Sequence, residues 1–105
     1  MYIKYDEYDL LELFESEPSS ITGNIEDGEL IYSYQDNQNF EVILTLDVYG
    51  QSCNLSITYN EFIVFTGDFI NVTSIKKTNN DMIIYVDDEA RADVKFSKQV
   101  GVELL

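Results

Sequence analysis

Residues 40–59 read FEVILTLDVYGQSCNLSITY, and this stretch decides the fold class. Phe40, Val42, Leu44, Leu46 and Val48 alternate with Glu41, Ile43, Thr45, Asp47 and Tyr49, the two-residue period of a strand with one face buried. After Gly50-Gln51 the same period resumes, with Cys53, Leu55, Ile57 and Tyr59 set against Ser52, Asn54, Ser56 and Thr58. Gly50-Gln51 suits a two-residue primed turn, so the stretch predicts a hairpin.

The same period extends outward on both sides. Upstream, Leu30 to Tyr34 leads into the turn-forming Asp36-Asn37-Gln38-Asn39. Downstream, Phe62 to Phe65 is apolar at every position and predicts a strand enclosed on both faces or lying against the helix. Ile70 to Lys77 and Met82 to Asp87 flank the polar loop Thr78-Asn79-Asn80-Asp81, and Val94 to Ser97 and Val100 to Leu104 complete the set. Parallel strands need crossover helices, and none is available, so the strands must pair as an antiparallel meander.

The amino-terminal segment differs. From about Asp6 to Ser16 the apolar residues fall at Tyr5, Tyr8 and Leu11 and at Leu10, Leu13 and Phe14, with Glu7, Asp9, Glu12 and Glu15 at other positions, which is a helical period. Asp6 is placed to cap it with Asp9 in the capping-box position, and Pro18 lies just past its end. Glu17 to Glu29 reads as a connection with a short strand around Ile21 to Ile25. The expectation is one domain spanning residues 1–105, of α+β class but mostly β. Its amino-terminal helix packs on an antiparallel meander of about eight strands, shaped as a half-barrel or sandwich.

Composition narrows the chemistry. The 105 residues contain 20 acids, 6 bases and no histidine, for a formal charge of −14. Through residue 68 there are 14 acids and one base, Lys4, whereas the remainder holds 6 acids and 5 bases. Such a field repels phosphate backbones and anionic lipid, and attracts cationic proteins. Direct nucleic-acid binding and membrane association are therefore not expected, although acidity for solubility alone is the bland alternative. Without histidine, Ser-His-Asp and Cys-His catalysis and histidine-ligated zinc are out. Asp87, Asp88, Glu89 and Asp93 form an acidic run, but its spacing matches no dedicated cation loop and reads as a solvated turn. No cofactor and no enzymatic activity are expected. The single cysteine, Cys53, shares the parity of Leu55 and Ile57 and predicts a buried, inert thiol in a reducing compartment. No export signal or apolar span is visible, which points to the cytoplasm.

The tyrosines allow two arrangements. Tyr5 and Tyr8, beside Asp6, Glu7 and Asp9, either pack the helix onto the sheet or present an anionic aromatic face to Lys and Arg. The charge asymmetry places the expected binding face in the acidic half, which includes the helix, the loop after it and the first hairpins. The candidate partner contacts there are Asp6, Glu7, Asp9, Glu12, Glu15, Glu26, Asp27 and Glu29.

With the opening Leu10-Leu11-Glu12-Leu13-Phe14 helix, Glu17-Pro18 after it, and strands at Phe40 to Tyr49, Cys53 to Tyr59 and Asp81 to Val86, the chain resembles the small acidic immunity proteins of bacterial polymorphic-toxin and contact-dependent inhibition systems. That resemblance implies a non-enzymatic inhibitor that binds a cognate basic toxin domain, often a nuclease, and blocks its active site. No motif aligns the site residues of that class with positions here. A phage-encoded DNA mimic would use the same carboxylates, and a housekeeping accessory protein is a further alternative. An open sheet edge also offers a route to a homodimer.

Overall fold

The computed structural model describes residues 1–105 as one helix, α1 (Glu7–Phe14), and nine strands. The strands are β1 (Ser19–Ser20), β2 (Glu29–Gln35), β3 (Phe40–Asp47), β4 (Ser52–Tyr59), β5 (Phe62–Phe69), β6 (Val72–Thr78), β7 (Asp81–Val86), β8 (Glu89–Lys95) and β9 (Gly101–Leu104). They form two antiparallel meanders, β1-β2-β3-β4-β5 and β6-β7-β8-β9, which do not close into a barrel. The expected mostly-β architecture is what the chain adopts. No helix is long and apolar enough to cross a membrane.

Alternation determines which residues meet between the sheets. Leu30 and Tyr32 of β2, Val42, Leu44 and Leu46 of β3, and Cys53, Leu55 and Ile57 of β4 are buried against Ile75, Met82, Ile84, Ala92 and Val94 of the second sheet. Their register partners, Leu44 opposite Leu55 and Ile84 opposite Ala92 among them, keep each inner face in step. α1 packs on both β2 and β6, inserting Leu10, Leu13 and Phe14 into the same cluster. There Phe14 lies 5.2 Å from the Tyr32 ring and 5.1 Å from Phe96. No charged or polar residue is fully buried, so the side chains that fill the interior are apolar.

The helix ends for local reasons. Asp6 Oδ1 accepts the Tyr8 N–H at 2.8 Å, and Glu15, at φ 58°, closes the other end by donating its N–H to the Leu11 carbonyl at 2.8 Å. The cap is the simple kind, because Asp9 makes no return bond to Asp6. The following segment forms β1 and a 3-10 turn, Ile25–Asp27, in place of a strand over Ile21 to Ile25. Asn24 Oδ1 accepts the Glu26 N–H and Gly28 stops the turn at φ 75°. Asp36 Oδ1 accepts from Gln38 and Phe40, which fixes the expected β2–β3 turn.

Two further expectations are corrected. The β3–β4 connection is not a two-residue Gly50-Gln51 turn but the four residues Val48 to Gln51, since Asp47 pairs with Ser52. Val48 leaves the ladder to donate to the Gly28 carbonyl and accept from Ile3, and Asp47 Oδ1 instead holds the Gly50 N–H at 2.9 Å. More consequentially, Phe62 to Phe65 is not enclosed. β5 is an outer strand of its sheet, Phe62, Ile63 and Val64 face solvent, and only Phe65 and Phe69 pack against the core. A bulge displaces the register, so that Thr58 pairs with Ile63 while Ile57 pairs with Phe65, and Val64 is left over.

Candidate functional site

The candidate site is a surface patch on the amino-terminal side of the molecule. It begins where α1 meets the segment after it. Tyr5, Glu7, Tyr8 and Leu11 form one wall of a groove of about 360 Å³, Glu17, Pro18 and Ile25 the other, and Leu30 and Tyr32 the floor. Tyr8 is 75%, Ile25 52% and Leu11 38% exposed. The centre is thus apolar and aromatic. Its rim carries Glu7 and Glu17, and Glu26 and Asp27 continue the turn that presents Ile25. An apolar centre inside a charged rim is the usual anatomy of a protein-binding patch.

The amino-terminal tyrosines divide between the two expected roles. Tyr5 is half-buried against the core and Tyr8 projects outward. Burial raises the Tyr5 hydroxyl above its ordinary range, with the neighbouring Glu7 charge and Tyr49 adding to the effect. Tyr32 is raised further, by burial first and then by Tyr5 and Glu7. Tyr34 is raised by burial and by Glu15 and Asp36. These phenols all stay neutral donors at physiological pH, in a setting of negative charge.

The eight carboxylates singled out from sequence are not one cluster. Glu7, Glu26 and Asp27 belong to the groove and its adjoining turn, where Asp27 also accepts the Thr22 hydroxyl at 2.7 Å. Asp6 and Asp9 lie on the other side of α1, in a wider depression of about 610 Å³ that also contains Lys4, Lys76 and Asp88. Glu12 faces the same way and pairs with Lys77 of β6 at 3.2 Å, so its charge is partly compensated. Glu15 sits at the helix end. Glu29 opens β2 opposite Asp47 and lines a shallow depression with Asp47, Asn54 and Asp68, away from the groove. Glu17 was missed as a site residue; its place after the helix and before Pro18 was the signal for a wall.

The cations are partitioned as well. No Lys or Arg occurs between Lys4 and Lys76, so the whole first sheet carries none, while Lys76, Lys77, Arg91 and Lys95 are all on β6 and β8. Lys76 lies over the Tyr85 ring at 4.9 Å, and Lys95 bridges Asp81 and Asp93 at 3.5 and 3.4 Å. Of the acidic run expected to form a turn, only Asp87 and Asp88 make the β7–β8 hairpin turn, at φ 51° and 65°, whereas Glu89 and Asp93 are strand residues of β8 paired with Val86 and Ile83.

No family model matches the chain, and no characterised protein matches it by sequence. Among solved structures, it is similar to a chain from the contact-dependent growth inhibition toxin - immunity protein complex from Klebsiella pneumoniae 342. The TM-score is 0.78 at 17% identity, over 98% of this chain and 96% of that one. Nearly the whole molecule therefore shares its fold with a chain of a toxin–immunity complex, and that likeness is one of architecture, reached through a largely different set of side chains.

Proposed function

We propose that this chain is an immunity protein: a non-enzymatic cytoplasmic inhibitor that binds a cognate basic toxin domain and covers the surface with which the toxin acts. The observation that carries the reading is the fold likeness, end to end, to a chain of a toxin–immunity complex. Of the two roles in such a complex, a charge of −14 and the absence of histidine fit the inhibitor better than the toxin. A toxin that grips phosphate with Lys and Arg would offer those groups to the carboxylates here, which supply speed and orientation, while Tyr8, Leu11 and Ile25 supply buried area.

In this reading the contact centres on Glu7, Glu26 and Asp27, with Glu17 added. Asp6, Asp9, Glu12, Glu15 and Glu29 steer the encounter from outside the groove. The test is to mix the purified chain with the toxin domain encoded beside it and to co-express the pair. A complex and restored growth are expected, and the triple variant Glu7→Lys, Glu17→Lys, Glu26→Lys should slow association by roughly tenfold or more at low salt. Absence of any complex at low salt refutes the proposal.

A further inference from the structure

The first sheet leaves one long edge bare. β1 has two residues and β9 four, and the free side of β6 is met at Ser74 by Lys4, whose N–H and carbonyl bond Thr73 and Ile75. β5 has eight residues and pairs with β4 alone. Outer strands are normally guarded against unwanted pairing by Lys, Pro, brevity or a covering segment. β5 has none of these and carries only the bulge at Val64 and the charge of Asp68 as guards, and its sequence, FIVFTGDF, exposes Phe62 by 75%, Ile63 by 68% and Val64 by 58%. Tyr59, opposite Phe62 and 4.7 Å from the Phe40 ring, continues the apolar surface.

The charges around this edge decide what fits it. Glu41 and Glu61 share the depression at its start, and Asp68 sits near its end. No cation lies anywhere in Ser19–Phe69. A second copy would bring the same carboxylates, on a molecule of charge −14, against themselves. A segment bearing Lys or Arg beside apolar side chains would be drawn in by the same field.

We infer that β5 is a docking strand, which takes an extended cationic segment of a partner protein as a sixth strand of the first sheet. The backbone groups on its free side supply a ladder, Phe62, Ile63 and Val64 supply the buried area, and the flanking carboxylates select for positive charge. Only the identity of the protein that carries this segment rests on the inhibitor reading above; the bare edge and the carboxylates around it do not.

Two peptide probes test it, one alternating lysine and valine and one alternating glutamate and valine, each titrated into the full chain while amide exchange is followed. The lysine peptide is expected to protect amides of Phe62–Phe69 and to bind at least about tenfold more tightly than the glutamate peptide. Ile63→Lys and Val64→Lys, both at exposed positions, should each weaken that binding by about tenfold or more with an unchanged thermal midpoint. Equal binding of the two peptides, protection confined to other elements, or β5 already protected by self-association overturns the inference. The toxin domain separates the two readings. A complex in which β5 stays unprotected overturns the docking strand and leaves the inhibitor standing. Lysine-selective protection of β5 without any toxin complex does the reverse.

Discussion

Cys53 shows how a single position reports on the interior. Its side chain is buried between Leu46 of β3 and Phe69 of β5, its register partners on either side. Burial, with a smaller contribution from Asp68, pushes the thiol up to about 12 from 9.0. The folded chain therefore holds this proton more tightly than the unfolded chain. The stability linked to it is complete below pH 9 and is lost as the pH rises through about 12. At pH 8 a thiol reagent should modify the unfolded protein at once and the native protein at least about a thousandfold more slowly, because reaction waits for opening. Matched rates in native and denaturing buffer would contradict this burial. The residue's character was readable in advance, since parity with Leu55 and Ile57 leaves it no route to solvent.

Whole elements were less uniformly legible, and the differences follow from what alternation can encode. β3 and β4 were readable because one face is apolar and the other polar, so pattern and burial agree along FEVILTLD and SCNLSITY. β5 was not, because a run without alternation has no parity, and a continuous apolar run is equally compatible with a central strand and with an exposed outer one. The groove was half legible for a related reason: local charge density gave Glu7, Glu26 and Asp27, but only the tertiary path of the Glu17 to Glu29 segment brings Ile25 opposite Leu11. That path depends on Gly28, at φ 75°, where an added Cβ would lie 2.9 Å from the Tyr49 ring. Gly28→Ala should cost about 1–3 kcal/mol in urea unfolding, from backbone strain and the clash together. The β7–β8 hairpin makes a prediction of opposite sign. Burial and the hydrogen bond and charge of Asp93 raise the Asp81 carboxyl above its ordinary value of 3.8, against the opposing pull of Lys95. Ionised Asp81 is thus disfavoured by folding, and its penalty is complete above the folded pKa and vanishes as the pH falls below 3.8. Asp81→Asn should raise stability at pH 7 by about a few tenths of a kcal/mol, limited by solvent screening, and give no advantage near pH 3. A loss of stability at pH 7 would mean that its pairing with Lys95 outweighs repulsion from Asp93.

At the scale of the molecule, one quantity acts on both folding and association, and with opposite sign. The charge of −14 is spread over a body with a radius of gyration of 12.8 Å. At about 20 mM salt the screening length is roughly 20 Å, so the carboxylates of α1, the first sheet and the hairpin turns all repel one another. At about 200 mM it is roughly 7 Å, and only near neighbours such as Glu29 and Asp47 still do. Added salt should therefore stabilise the free protein, raising its thermal midpoint by several degrees, the shift that about 1 kcal/mol produces in a domain of this size. The same screening removes the long-range pull on a cationic partner, so the association rate should fall by about tenfold or more across that range. Calorimetry and stopped-flow mixing at matched salt concentrations read the two slopes. If the midpoint rises while association is indifferent to salt, the carboxylates only keep the molecule dispersed, and a partner must be gripped through Tyr8, Ile25 or the bare edge of β5 instead. If both slopes appear, the repulsion that weakens the fold is the same field that gathers the partner. In that case a variant neutralised away from the groove and the β5 edge, Asp87→Asn with Glu103→Gln, whose carboxylates make no hydrogen bond or ion pair, should be more stable at low salt yet slower to bind.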